Sequence, residues 1–253
     1  MTEVERQAAL DAIAAEVAVC RRCWLHQTRT KAVPGEGTAA TEVIFVGEGP
    51  GFNEDRQGKP FVGQAGALLT ELLGSVGWAR EEVFITNVVK CRPPENRDPE
   101  PDEIAACAPF LTRQLAALDP ALVVTLGRFS MARFNPGARI GAVHGTFRAA
   151  DPGSGAPEAL AYAMYHPAAA LHQGSLKATL SRDMEGVPLA LLEARRLRAE
   201  RTESGAPSEP AASSVEAAPA PVVAPARAGA AGSVAQIEEY IEESEPTDQL
   251  GLF

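Results

Sequence analysis

Long apolar runs are missing from this sequence. A membrane-spanning helix needs roughly 18 or more consecutive apolar residues, and no stretch of the 253 residues offers one. The first residues, MTEVERQAALDAI, carry acids and no long apolar centre and are not expected to act as a secretory leader. The chain is therefore expected in the cytoplasm. Cysteine is scarce, with four in the whole chain, and in a reducing compartment structural disulfides are not expected. Basic residues are outnumbered, 23 Lys and Arg against 33 Asp and Glu, for a net charge of −10. That balance argues against nucleic acid until its distribution is read. From Val234 onward six acids occur (Glu238, Glu239, Glu242, Glu243, Glu245, Asp248) and no Lys or Arg. The stretch from Arg201 to Ser233 adds a net −1, which leaves −3 for the first 200 residues. A nearly neutral domain can still carry a basic face.

Composition divides the chain. Residues 1–200 are mixed and read as one globular domain. Residues 201–233 are rich in Ala, Pro, Ser and Gly without an aromatic, and read as a disordered linker. Residues 234–253 form an acidic tail that ends in apolar residues.

Four short apolar runs predict strands: EVIFVG (42–47), VFITNVV (83–89), LVVTLG (122–127) and LAYAMY (160–165). The first three are nearly continuous, as strands covered on both faces are. Helical patterns lie between and after them, at 64–76, 101–118 and 176–200, the second opening on Pro and acids. The alternation predicts an α/β fold: a three-layer α/β/α sandwich around a central, mainly parallel four-stranded sheet. Functional residues in such sheets gather beyond the carboxyl ends of the strands. There the sequence places Gly47-Glu48-Gly49-Pro50-Gly51, Asn87 with Cys91 behind it, and His166. Asn87 is a polar amide inside an apolar run, which is costly without a partner.

The cysteines form Cys20-x2-Cys23, then Cys91 and Cys107. A CxxC pair with two distant thiols can close a four-thiolate site. Zinc and an iron–sulfur cluster are both compatible with that spacing.

Several ordered motifs together resemble the family 4 uracil-DNA glycosylases, the iron–sulfur type. They are Cys20-x2-Cys23, GEGPGFNED (47–55), GKPFVGQAGALL (58–69), ITNVVKCRPPENR (85–97), Cys107 and YHPAAAL (165–171). The resemblance covers roughly residues 10–195 and implies a [4Fe–4S] cluster on Cys20, Cys23, Cys91 and Cys107. It implies an enzyme that flips uracil out of DNA and hydrolyses its glycosidic bond, with a non-catalytic or covalently trapping uracil-DNA binder of the same fold as the alternative. Some relatives trap DNA through a His in an inserted basic loop. No His lies between Asn87 and Cys107 here, which favours turnover.

The implied roles suit the residue types. Phe61, expected on an exposed loop, stacks on the flipped base. The Asn87 amide accepts from uracil N3–H and donates to O4, a pattern cytosine cannot match. His166 donates to O2 and stabilises the departing anion. Glu48 stabilises the cationic sugar and orients water. Gly47, Gly49 and Gly51 admit close approach of the base or DNA backbone. Better-known superfamily members carry Asp where Gly49 stands and a thymine-excluding Tyr where Gly51 stands. Leu171 is the candidate wedge into the base stack. Lys90, Arg92, Arg97, Lys177 and Arg182 are candidate phosphate contacts. His26, His144 and His172 read as structural or surface residues.

The last five residues, Gln249-Leu250-Gly251-Leu252-Phe253, resemble the bacterial sliding-clamp-binding pentapeptide. Leu252 and Phe253 suit an apolar pocket, with Gln249 at its rim. The 47 residues from Thr202 to Asp248 would reach roughly 35–40 Å as a flexible coil. The implied partners are uracil-containing DNA and a sliding clamp, with the enzyme itself acting as a monomer.

Overall fold

The computed structural model describes residues 1–204. Six strands form one sheet: β1 (Glu36–Gly37), β2 (Val43–Gly47), β3 (Phe84–Asn87), β4 (Leu122–Leu126), β5 (Phe147–Ala149) and β6 (Leu160–Met164). The helices are α1 (Glu3–Val19), α2 (Phe52–Gln57), α3 (Gln64–Ser75), α4 (Pro101–Leu118), α5 (Arg128–Phe134), α6 (Ile140–Val143), α7 (Pro167–His172) and α8 (Ser175–Ser204).

Strand order is β1-β3-β2-β4-β6-β5. The central four are the expected ones, and they run parallel. The expected sheet of four is corrected to six, because β1 and β5 add antiparallel edges. These edges are two and three residues long, too short to leave an apolar run in the sequence. Helix α8 continues past residue 200 to Ser204.

Every residue of β2, β3, β4 and β6 is buried. Alternate side chains enter opposite layers, as strand geometry requires. Phe45, Val124 and Tyr162 pack against α3 and α8, where Leu69, Leu73, Leu180 and Val187 meet them. Ile44, Val46 and Val123 pack against α1 and α4, where Ile13, Val17, Leu111 and Leu115 meet them. Helix α4 starts where its sequence says it must. Pro101 occupies the first turn, and Glu100 and Glu103 close a capping box.

The connection from β2 leads through α3 to β3 on one side, and that from β3 leads through α4 back across to β4. β2 is therefore the strand at which the order reverses, the position where doubly wound sheets open a crevice.

Candidate functional site

Beyond the end of β2 the ladder with the β3 segment persists. Val88 N–H donates to the Gly47 carbonyl and Val89 N–H to that of Glu48, both at 3.0 Å. These bonds hold the loop after β2 beside Asn87, the last residue of β3. The Asn87 side chain is 1% exposed. Among the described residues neither its Oδ1 nor its Nδ2 has a hydrogen-bond partner. A buried carboxamide without partners costs about 1–3 kcal/mol for each unmatched group, and such groups point to a missing ligand. Gly47 leaves the space in front of it. A Cβ there would stand 2.4 Å from Asn87 Oδ1 and 2.6 Å from Phe61 Cζ.

Phe61 closes this space, but not from an exposed loop. It is 7% exposed and packed into the core, which corrects the sequence expectation. Two devices bury it. Glu54 Oε1 accepts the backbone N–H groups of Val62 (2.8 Å) and Gly63 (2.9 Å), folding the loop inward. Gly66 then lets the Phe61 backbone lie on the first turn of α3, where a Cβ would come within 1.9 Å of the Phe61 carbonyl oxygen. Phe61 itself adopts a positive φ of 50°. Its ring stacks on His166, with centroids 5.5 Å apart and planes 29° apart.

His166 follows β6 and caps helix α7. Its Nδ1 accepts the Ala168 N–H at 3.1 Å. An Nδ1 that accepts leaves the ring proton on Nε2. Burial pushes its pKa down to about 4, with Glu54 opposing. At neutral pH this is an uncharged imidazole with one N–H to donate. Glu48 is perturbed the other way. Burial, then the charge of Asp98, raise its carboxyl to about 7, while Arg128 opposes the shift. Arg128 is itself ion-paired with Asp98. Gly49 packs on Val89, and Gly51 caps α2 beside the Glu54 carboxylate.

The four cysteines come together. Cys20, Cys23, Cys91 and Cys107 line one cavity with Val17, His26, Arg29 and Phe110, and none forms a disulfide. N–H groups point at three sulfurs. Arg29 Nη1 reaches Cys91 Sγ at 3.0 Å, Lys90 N reaches Cys107 Sγ at 3.3 Å, and Arg22 N reaches Cys20 Sγ at 3.5 Å. Burial pushes the thiols of Cys23, Cys91 and Cys107 up, the last to about 11. Thiolates in this cavity need a bound positive charge to exist. Among the described residues, no three Cys, His, Asp or Glu side chains converge on a single ion.

The basic candidates divide. Lys90 is corrected outright: it is 1% exposed, and its Nζ donates to Thr86 Oγ1, the Asn87 carbonyl and Gln114 Oε1 at 2.6–2.8 Å. Burial lowers its pKa to about 7. It ties β3 to α4 and cannot reach a phosphate. Arg97 stays partly exposed, with its terminal nitrogens on Glu103 at 2.9 and 2.7 Å. Lys177 pairs with Glu71 on an exposed face at 3.1 Å. Arg92 makes no ion pair among the described residues, while the charge of Arg182 acts on the neighbouring Asp183. Leu171, at the end of α7, is 44% exposed. His26 bonds the Cys23 backbone and His144 pairs with Asp183, both in structural settings; His172 is exposed. Sequence reasoning missed Glu54, whose partners lie eight and nine residues on, and Asp98, Arg128 and Arg29, whose partners lie 30 or more residues away along the chain. The clamp-like residues Gln249, Leu250, Leu252 and Phe253 lie outside the described residues.

A family model described as the uracil DNA glycosylase superfamily matches residues 34–184. A type-4 uracil-DNA glycosylase of Saccharolobus solfataricus is 48% identical over 188 residues, 72% of this chain and 86% of the relative. That of Sulfurisphaera tokodaii is 44% identical over 187 residues, 70% of this chain and 83% of the relative. That of Archaeoglobus fulgidus is 44% identical over 187 residues, covering 70% and 91%.

Proposed function

The chain belongs to the uracil DNA glycosylase superfamily and is a uracil-DNA glycosylase, and from that premise we propose how its residues read uracil and release it. The unpartnered Asn87 carboxamide carries the reading. Uracil matches it with N3–H for Oδ1 and O4 for Nδ2. Cytosine presents a bare N3 and an amino group, so both contacts fail and two buried groups stay unmet. Phe61 supplies the stacking face. The His166 Nε2–H donates to uracil O2.

Cleavage of the C1′–N1 bond leaves its electron pair on uracil and positive charge on the sugar. A neutral imidazole suits the first charge, because it donates a hydrogen bond without giving up its proton. Ionised Glu48 suits the second. It also takes a proton from the water whose oxygen bonds C1′, leaving an abasic site. A carboxyl raised to about 7 is matched to that base role at neutral pH. The donor set of four thiols and three N–H groups around one cavity fits a [4Fe–4S] cluster held by Cys20, Cys23, Cys91 and Cys107. When bound, it would supply structural cross-links rather than chemistry at the base. The links join the segment after α1, the loop after β3 and helix α4. Leu171 is the wedge, and Arg92 a phosphate contact. The enzyme is placed in the cytoplasm as a monomer, tethered to a sliding clamp through Gln249, Leu250, Leu252 and Phe253; sequence alone supports these last assignments.

The test is excision from an oligonucleotide with one uracil, read as alkali-labile sites. Wild-type protein should cleave at uracil and spare cytosine. Asn87→Ala should lose at least about 30-fold in kcat/KM, since two contacts of about 1–3 kcal/mol each disappear. Wild-type rates in that variant would overturn the reading. Deleting Gln249–Phe253 should leave excision unchanged and abolish clamp binding.

A further inference from the structure

One exposed aromatic beside the site has no part in the reading above. Phe52 opens helix α2, directly after the Glu48–Gly51 loop, and is 50% exposed. Two guanidinium groups flank its ring, Arg92 at 5.3 Å and Arg56 at 5.6 Å from the centroid. They come from different elements. Arg56 lies on α2, whereas Arg92 follows Cys91 in the loop after β3 and is steadied by Asn96, which accepts from its Nε at 2.6 Å. Among the described residues neither guanidinium has a carboxylate partner. The nearby acids are occupied: Glu54 holds the Phe61 loop, and Asp55 accepts the Thr30 N–H. An aromatic face carrying two unneutralised cations is complementary to a nucleotide, base on ring and phosphate on arginine.

Its position says which nucleotide. Phe52 and Arg92 follow β2 and β3, while Leu171 follows β6, with β4 between. Strands about 4.8 Å apart put β2 and β6 roughly 10 Å from one another. Along the sheet edge the exposed phenylalanine thus follows the β2 end and the exposed leucine the β6 end. We propose that Phe52, flanked by Arg56 and Arg92, is the stacking platform for the nucleotide adjacent to the flipped uracil on the same DNA strand. The proposal rests on the excision reading and extends it to a flanking subsite. Phe52 is then a positioning residue that holds the strand and touches none of the reacting atoms.

The experiment uses the full chain and single-stranded oligonucleotides with 2-aminopurine immediately 5′ or 3′ of the target. For binding, the target is a 2′-fluorinated deoxyuridine that resists cleavage. Wild-type protein should quench 2-aminopurine on one flank, which also reports the strand polarity. Phe52→Leu, which keeps apolar bulk without a π face, should abolish that quenching. In steady-state excision of ordinary uracil substrate it should raise KM by about 5- to 160-fold, the range of base–aromatic stacking, with kcat within about threefold. Phe52→Trp should restore both. Unchanged KM with unchanged quenching on both flanks in Phe52→Leu overturns the proposal, as does a loss confined to kcat. Wild-type protein that fails to excise uracil at all would instead overturn the reading beneath it.

Discussion

One added carbon at Gly47 would stand 2.4 Å from Asn87 Oδ1 and 2.6 Å from the Phe61 ring. Nothing about the strand requires glycine at that point except the space it leaves. Gly47→Ala should therefore remove uracil excision while leaving the thermal midpoint within a few degrees, a separation that excision assay and melting curve together would detect. The two charged-type residues of the pocket are set by the same force with opposite results. Burial raises the acid Glu48 to about 7 and lowers the base His166 to about 4, because each is pushed toward its neutral form. Between these values His166 is neutral and Glu48 is mostly protonated. A mechanism that needs the Glu48 carboxylate should show kcat/KM rising about tenfold per pH unit up to about 7 and levelling off above it. In Glu48→Gln that limb should vanish along with most of the rate; a limb that survives the substitution would assign it to another group.

Loops between elements carry the placement of these side chains. The segment from Pro60 to Gly63 is set by Glu54 on α2, which accepts two backbone N–H groups. Glu54→Ala should leave both unmet and release Phe61, costing about 1–3 kcal/mol of stability. The accompanying rise in KM distinguishes a loop effect from general destabilisation. At the end of β3, Lys90 and Arg92 stand two residues apart with different duties. Lys90 is internal, joined to Thr86, Asn87 and Gln114. Lys90→Met should lower stability yet leave the salt dependence of DNA binding unchanged. Arg92→Ala should reduce that slope by about one unit. Measuring binding from low to moderate salt checks both. The sequence offers two cations beside Cys91, and only the course of the loop after β3 and the packing of α4 over it decide which one faces water.

Across the whole molecule, four thiols separated by up to 87 positions meet in one cavity. They join the segment after α1 to the loop bearing Arg92 and to α4. Cys23→Ser should lower the thermal midpoint and DNA affinity together, and absorbance near 400 nm should fall with them in anaerobically purified protein; affinity lost at full stability would count against a structural cluster. The parallel core, its helical covers, the cysteine set and the residues at the strand ends were all legible in the chain. Apolar runs, CxxC spacing and a polar amide in a strand are local signals, and local signals survive without a fold. Other features were not legible for reasons equally physical. Two-residue edge strands have no period to detect. The burial of Phe61 depends on a carboxylate seven positions earlier and a missing Cβ five positions later. Lys90 reads as a surface cation until Gln114 is brought over it. The chain by itself determined which groups would be available to a base. The tertiary structure decided which of them face the pocket, which are spent on one another, and how far burial moves their protons, because those depend on distances between residues remote in sequence.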